Sequence, residues 1–291
     1  GAGRGGPVLG PCGGGAAGRM SRATATILAA CIGAVLLAPL ACVLAVSLAA
    51  PADGIPPFAW GLHPGNYATL ADPYYVSAFL QSLRVAGVAA GLCLLLGYPM
   101  ALAIARAPAR RRSLLLTLVI LPFWTGFLLR MTAWIGILRD GGWLDTALAA
   151  AGLPPAHLLY TPAAMYVGIT YAYLPFMVLP LYARLSRRDP AVEEAAADLG
   201  APPWRVFLSV TLPLSLPGVW AGLVLVFIPA MGEYVVPELL GGPGAQTMGR
   251  VLWSTFFAEQ DWPTAAALSV ALLLVLVLPA AIWQHRQGAR P

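Results

Sequence analysis

Six long apolar runs, at residues 27–49, 79–104, 114–137, 163–182, 214–236 and 265–283, alternate with shorter polar connectors along the chain. A helix rises 1.5 Å per residue, so about 20 apolar residues cross a hydrocarbon core of about 30 Å, and each run is close to or above that length. The pattern predicts an all-α membrane protein with six spans in one bundle. No connector is long enough to hold a soluble enzyme domain. Pro39, Pro99, Pro122, Pro175, Pro180 and Pro229, with Gly126 and Gly232, lie inside the runs. Breaks at such residues are tolerated where neighbouring helices or water satisfy the freed backbone, and they often line a pathway, although proline is in any case commoner in membrane helices than in soluble ones.

Composition agrees with the pattern. Of 291 residues 10% are charged and 59% hydrophobic, with a mean hydropathy of +0.77, where a soluble domain carries about 25% charged residues. All 17 basic residues are arginine, and their placement carries the orientation. Arg4, Arg19 and Arg22 precede the first run, and Arg106, Arg110, Arg111 and Arg112 follow the second. Arg184, Arg187, Arg188 and Arg205 separate the fourth and fifth, and Arg286 and Arg290 follow the sixth. The alternate connectors hold only Arg139 and Arg250, while Arg84 and Arg130 lie within runs. The positive-inside rule then puts both termini of a multi-pass membrane protein in the cytoplasm. Arginines strung along alternate connectors do not make a nucleic-acid surface.

The chain divides into a Gly-rich tail at 1–22 expected to be disordered, a six-span domain at 23–284, and a short cytoplasmic tail at 285–291. Met20 is an alternative start. The first run also has features of a signal peptide, but it exceeds the usual apolar length of about 7–15 residues, which favours a retained anchor. In the first outward connector a short interfacial helix is expected at 66–70, with Trp60, Tyr67, Tyr74 and Tyr75 as anchors and docking of an external partner as the second reading. Connectors 139–161 and 241–264 are the other outward segments. Cys12 lies in the tail, and Cys31, Cys42 and Cys93 lie in the first two runs, so neither a disulfide framework nor a metal site is expected.

The most informative connector spans about 184–213. Asp189 can cap a helix that opens on Pro190, and Glu193 and Glu194 fall in its first turn, where carboxylates complement the helix dipole. Gly200 can take the left-handed conformation that ends it, and Pro202-Pro203 prevents continuation before a second apolar-rich segment at 204–210, so a helix, a sharp turn and a second helix are expected. Ala195, Ala196 and Ala197 leave a smooth face that a partner could approach closely, with the nearby acids free to pair with basic groups on it. An ordinary amphipathic connector is the other reading.

A charge inside a membrane span marks a function or a pair. Glu233, placed near the outer end of the fifth run, is adjacent to Tyr234, with Trp124, Tyr171 and Tyr173 on the third and fourth runs and Glu238 in the outward mouth. A carboxylate ringed by aromatic groups suits a small dication, through charge pairing and cation–π attraction. A structural salt bridge from Glu233 to Arg130 or Arg84 is the competing reading.

Residues 194–213 read EAAADLGAPPWRVFLSVTLP. The skeleton E-A-A, three residues, Gly, nine residues, Val, one residue, Leu-Pro resembles the cytoplasmic coupling loop of the membrane subunits of ATP-binding-cassette (ABC) importers, with Val210 where that family usually carries Ile. Leu121-Pro-Phe-Trp124 with Leu129-Arg-Met131, the 173–180 stretch YLPFMVLP, the 226–234 stretch VFIPAMGEY and the segments around 237–243 and 249–253 look like putrescine/spermidine importer permeases, the putrescine type above all. The resemblance implies the six-helix transmembrane domain of a type I importer permease. It further implies a sister permease, two ATPase subunits and a periplasmic polyamine-binding protein, with Glu193, Glu194, Ala195, Ala196 and Gly200 contacting the ATPase. ATP and magnesium would be bound by that partner, with no cofactor or metal in this chain: having no lysine, it contains no P-loop G-x-x-x-x-G-K-[ST]. Other readings are a permease for another amine, thiamine or a phosphonate, an ion-coupled carrier using Glu233, and a membrane enzyme, the last opposed by His63, His157 and His285 lying in loops or at an end.

Overall fold

A computed structural model describes residues 22–288. The expected disordered tail, Met20 and Cys12 therefore lie outside the described residues, as do the last three positions of the expected C-terminal tail. Helix α1 is Arg22–Ser47, α2 is Pro73–Arg106, α3 is Ala109–Ile120 and α4 is Phe127–Leu138. Then come α5, Trp143–Ala150, and α6, Pro162–Leu185. They are followed by α7, Pro190–Asp198, α8, Pro203–Val206, and α9, Leu212–Met231. Helices α10, Val235–Leu240, α11, Met248–Trp253, and α12, Trp262–Gly288, complete the order. A two-residue antiparallel ribbon, Ala50–Pro51 with Phe58–Ala59, is the only strand pairing among the described residues.

Helices α2, α6 and α9 form the centre. Their contacts are built on small residues, as membrane helices require when no hydrophobic effect draws them together. A β-carbon on Gly222 would lie 2.5 Å from Met177 Sδ, and one on Gly218 would lie 3.1 Å from the Pro180 carbonyl, so α9 is seated directly on the backbone of α6. One apolar cluster joins Val85, Ala89, Met131, Met165, Ile169 and Met231; a second joins Cys93, Tyr98, Met177, Leu181, Val219 and Val226. Polar atoms in these interfaces are paired between helices: Tyr98 Oη lies 2.9 Å from Ser215 Oγ, and Arg184 Nε donates to the Leu214 carbonyl at 3.1 Å. By contrast, the apolar stretch of α1 adds nothing to the core before its last turn, where Ser47 is buried, and the helix runs along α12. Its end is tied down by Asn66, whose amide donates to the Ser47 and Ala49 carbonyls at 2.9 and 2.8 Å. The expected short helix at 66–70 is present as two 3-10 turns, Pro64–Tyr67 and Thr69–Ala71.

Three expectations are corrected. The third run is not one straight helix: Leu121–Trp124 forms a 3-10 turn, Thr125 and Gly126 are extended, and the helices on either side meet at 92°. Pro122 lacks an amide proton and obstructs the preceding turn, and Gly126 adds little helix propensity. The segment at 204–210 is not a separate helix, because α8, a π-helical turn at Phe207–Thr211 and α9 run together as one helix of 29 residues, Pro203–Met231. The fifth run also stops early, at Met231, with Gly232 to Tyr234 turning the chain into α10. Glu233 is consequently not near the end of the bundle. Contacts climb α6 in order, from Gly218 on Pro180, through Gly222 on Met177 and Glu233 on Tyr173, to Val236 and Leu240 on Gly168. Tyr173 is at the middle of α6, so Glu233 stands at mid-depth, beside a broken helix.

Candidate functional site

Glu233 is placed by its neighbours on both sides. Its backbone carbonyl accepts from Thr247 Oγ1 at 3.2 Å, and α11 comes so close that a β-carbon on Gly249 would lie 2.5 Å from that carbonyl oxygen and 2.6 Å from that of Gly232. The start of α11 is itself fixed to α2 by Met248 N–H donating to the buried Ser82 Oγ at 2.7 Å. Gly249→Ala is therefore expected to push the Gly232–Tyr234 turn and to cost about 1–3 kcal/mol, the usual price of overpacking. The check is the thermal midpoint of the detergent-solubilised protein, and an unchanged midpoint would mean the turn is not held in this way.

Glu233 is 8% exposed. Oε1 accepts the amide protons of Val235 and Val236 at 3.0 and 3.2 Å, covering donors that open α10, and Oε2 accepts the hydroxyl of Tyr173. These bonds hold the negative charge in one orientation at mid-depth. Around it lies a cavity of about 480 Å³ lined by Phe123, Phe127, Arg130, Tyr173, Phe176 and Tyr234, among others. Phe123 meets Phe176 edge-on at 5.5 Å, and Tyr234 is stacked on Trp253 at 5.1 Å.

Of the residues singled out in the sequence, Glu233, Tyr173 and Tyr234 come together here. Trp124 does not: it is 83% exposed on the 3-10 turn and is not part of the cavity lining. Tyr171 does not either, since its ring meets Trp134 edge-on at 5.5 Å on another side of α6. Phe123, Phe127 and Phe176 were missed, although Phe176 follows Tyr173 by three residues and so shares its helical face. The competing salt bridge is also absent: among the described residues Glu233 has no ion pair, Arg84 is exposed, and Arg130 lies over Phe123 and Phe127 at 4.8 and 5.5 Å from the ring centres. Glu238 instead pairs with Arg250 at 2.7 Å.

At the opposite end of the Pro203–Met231 helix, α7 forms over Pro190–Asp198 as expected, except that Glu193 alone, not Glu194, falls in its first turn. The Asp189 carboxylate accepts the Ala191 amide proton at 3.0 Å, and Gly200 has φ +83°. Gly200 N–H donates to the Ala197 carbonyl at 2.8 Å and Ala201 N–H to that of Ala196 at 3.2 Å, a Schellman ending. Glu194, Ala195 and Gly200 are exposed and Ala196 is partly so. Glu193 is placed differently from the expectation of an acid turned toward a partner: it pairs with Arg188, with Arg106 at 3.4 Å and with the Thr211 hydroxyl. The reason is spacing. Glu193 and Glu194 are adjacent, about 100° apart around the helix, so the two acids point to different sides of it. Leu199, 90% exposed, and the exposed Trp204 flank Gly200 and complete an apolar surface that the sequence reading did not include.

Comparison with known proteins places these features in a lineage. Residues 93–285 match the family model described as binding-protein-dependent transport system inner membrane component. The chain is 41% identical over 215 residues to the spermidine/putrescine transport system permease protein PotB of Escherichia coli strain K12, covering 73% of this chain and 78% of the relative. It is 40% identical over 245 residues to PotB of Haemophilus influenzae, covering 84% and 85%. Among solved structures, a bacterial ABC transporter involved in the import of the acidic polysaccharide alginate superposes with a TM-score of 0.70 at 19% identity, over 92% of this chain and 95% of that one.

Proposed function

Since the chain belongs to the family of binding-protein-dependent transport system inner membrane components, with the fold of a type I ABC importer permease, we propose that the solute it conducts is a polyamine, putrescine first and spermidine next. The observation that carries this reading is the Glu233 carboxylate, held at mid-depth by Tyr173 and by two backbone amides in a cavity walled by aromatic rings. An alkyl diamine offers what such walls accept: ammonium groups for the carboxylate and ring faces, and methylenes for the apolar sides. Two relatives at about 40% identity named for spermidine and putrescine support the same cargo.

In this proposal residues 23–284 form a six-span domain with both termini cytoplasmic, and the loop at 184–213 meets the ATPase through Glu194, Ala195, Ala196 and Gly200, with Glu193 bracing it from behind. A second permease, two ATPase subunits holding ATP and magnesium, and a periplasmic polyamine-binding protein complete the importer. This chain binds no cofactor or metal and performs no hydrolysis. ATP binding draws the ATPases together and moves the coupling loops, and the cavity is exposed alternately to the two sides by rigid-body motion.

The test is uptake of radiolabelled putrescine into proteoliposomes containing all four subunit types. ATP-dependent accumulation is the expected result. ATP hydrolysis stimulated by the binding protein without polyamine accumulation would remove the polyamine from the reading and leave the importer. A reporter fused after Asp198 is expected to be active only in its cytoplasmic form.

A further inference from the structure

Arg130 is the residue in this cavity that a receptor for a dication would not be expected to contain. Its side chain is 9% exposed, and neither Nε nor Nη1 has a hydrogen-bond partner within the chain. It shares the cavity lining with Glu233, yet the two make no ion pair, and the guanidinium rests on the faces of Phe123 and Phe127. Its position does not serve the helix that carries it, either. Arg130 is in the first turn of α4, its amide bonded to the Gly126 carbonyl at 3.2 Å, where the helix dipole favours an acid rather than a base. A buried cation with two unmet donors, kept by ring faces alone, is costly unless it acts on something in the cavity.

We propose that Arg130 is a resident cation that competes with the cargo's ammonium group. This rests on the polyamine reading of the site. Glu233 and Arg130 together give this chain's part of the cavity a formal charge of zero, so a polyamine entering it finds a carboxylate and rings but also a positive charge in the same lining. The ring faces of Phe123 and Phe127, which would otherwise take an ammonium, are already covered. The cargo is thereby restricted to the Glu233, Tyr173 and Tyr234 side and is held weakly. Weak holding is what a conduit needs, because interactions that bind strongly in the middle of a pathway slow departure. Arg130 is in this sense a release-determining residue of the pathway.

The experiment compares the parent, Arg130→Gln and Arg130→Lys permeases, each assembled with sister permease and ATPase in nanodiscs without the binding protein. Equilibrium binding of radiolabelled putrescine and maximal uptake in proteoliposomes are measured on each. Removing the resident charge is expected to tighten putrescine binding about tenfold, a change corresponding to about 1.4 kcal/mol, and to lower the maximal uptake rate. Arg130→Lys, which keeps the charge, is expected to behave like the parent in both. Binding that is unchanged or weaker in Arg130→Gln overturns the proposal, and so does loss of the sister permease from the purified Arg130→Gln complex, which would make the guanidinium an assembly contact. A third outcome also overturns it: 4-aminobutyrate, which carries a carboxylate beside its ammonium, displacing putrescine from the parent but not from Arg130→Gln would make Arg130 an anchor for an acceptor on the cargo. A parent that accumulates no polyamine, while its ATPase responds to the binding protein, removes the underlying reading instead.

Discussion

Glu233→Gln is expected to reduce ATP-driven putrescine uptake at least about tenfold while leaving basal ATP hydrolysis by the assembled importer close to the parent's. Hydrogen bonds to a charged group contribute about 1.5–3 kcal/mol, which is roughly 10- to 100-fold in an equilibrium or a rate. Glutamine keeps the size of the side chain and an oxygen that can accept the Val235 and Val236 amide protons, so α10 stays capped and the bundle stays folded. What it loses is the charge that the cargo's ammonium needs. Glu233→Ala should do more, since it also leaves those two amides without an acceptor, and a lower thermal midpoint is expected there and not for glutamine. If Glu233→Gln transports like the parent, the carboxylate is only a cap for α10 and does not meet the cargo.

The second large effect is expected at the far end of the same long helix. At Gly200 the backbone has φ +83°, and no atom lies within 4 Å of where a β-carbon would be. Valine there meets no clash inside the chain, but a β-branched residue in the left-handed region is strained by about 1–3 kcal/mol. The Schellman ending of α7 should open, turning Leu199 and the Glu194 face away from their present directions. Gly200→Val is thus expected to insert and fold, yet to lose the ATPase on co-purification and to lose binding-protein-stimulated hydrolysis. A variant that retains its ATPase and transports at the parental rate would reduce this loop to a connector.

The sequence made the two ends of this machine visible to different degrees, for physical reasons. Asp189, Pro190 and Gly200 announce α7 because capping and left-handed endings depend on single residues and their immediate neighbours. Apolar length likewise marked where α2 and α6 run. Which acid of Glu193 and Glu194 faces inward was not legible, because that depends on where Arg106 and Arg188 lie in space. The 92° bend after Trp124 was only partly legible: Pro122 and Gly126 flagged a break, but propensity gives no angle. That bend is also why the site was read incompletely. It sets Phe123, from the turn before the bend, against Arg130, beside Phe127 on the helix after it, and leaves Trp124 out of the cavity lining. Glu233 and Tyr173, sixty positions apart in sequence, were connected by chemistry before their contact was seen.

The close seating of Gly218 and Gly222 on α6 has a mechanical meaning. A helix seated most closely over one short stretch can pivot there as a lever does, and residue 220, midway between the two glycines, marks the fulcrum. At 1.5 Å per residue the arm toward Pro203 is about 26 Å long and the arm toward Met231 about 17 Å. A sideways displacement imposed at the Pro203 end therefore reaches the Glu233 end reversed in direction and scaled down by roughly one third. The π turn at Phe207–Thr211 lies wholly on the long arm, so any give it has lessens the displacement before it reaches the fulcrum.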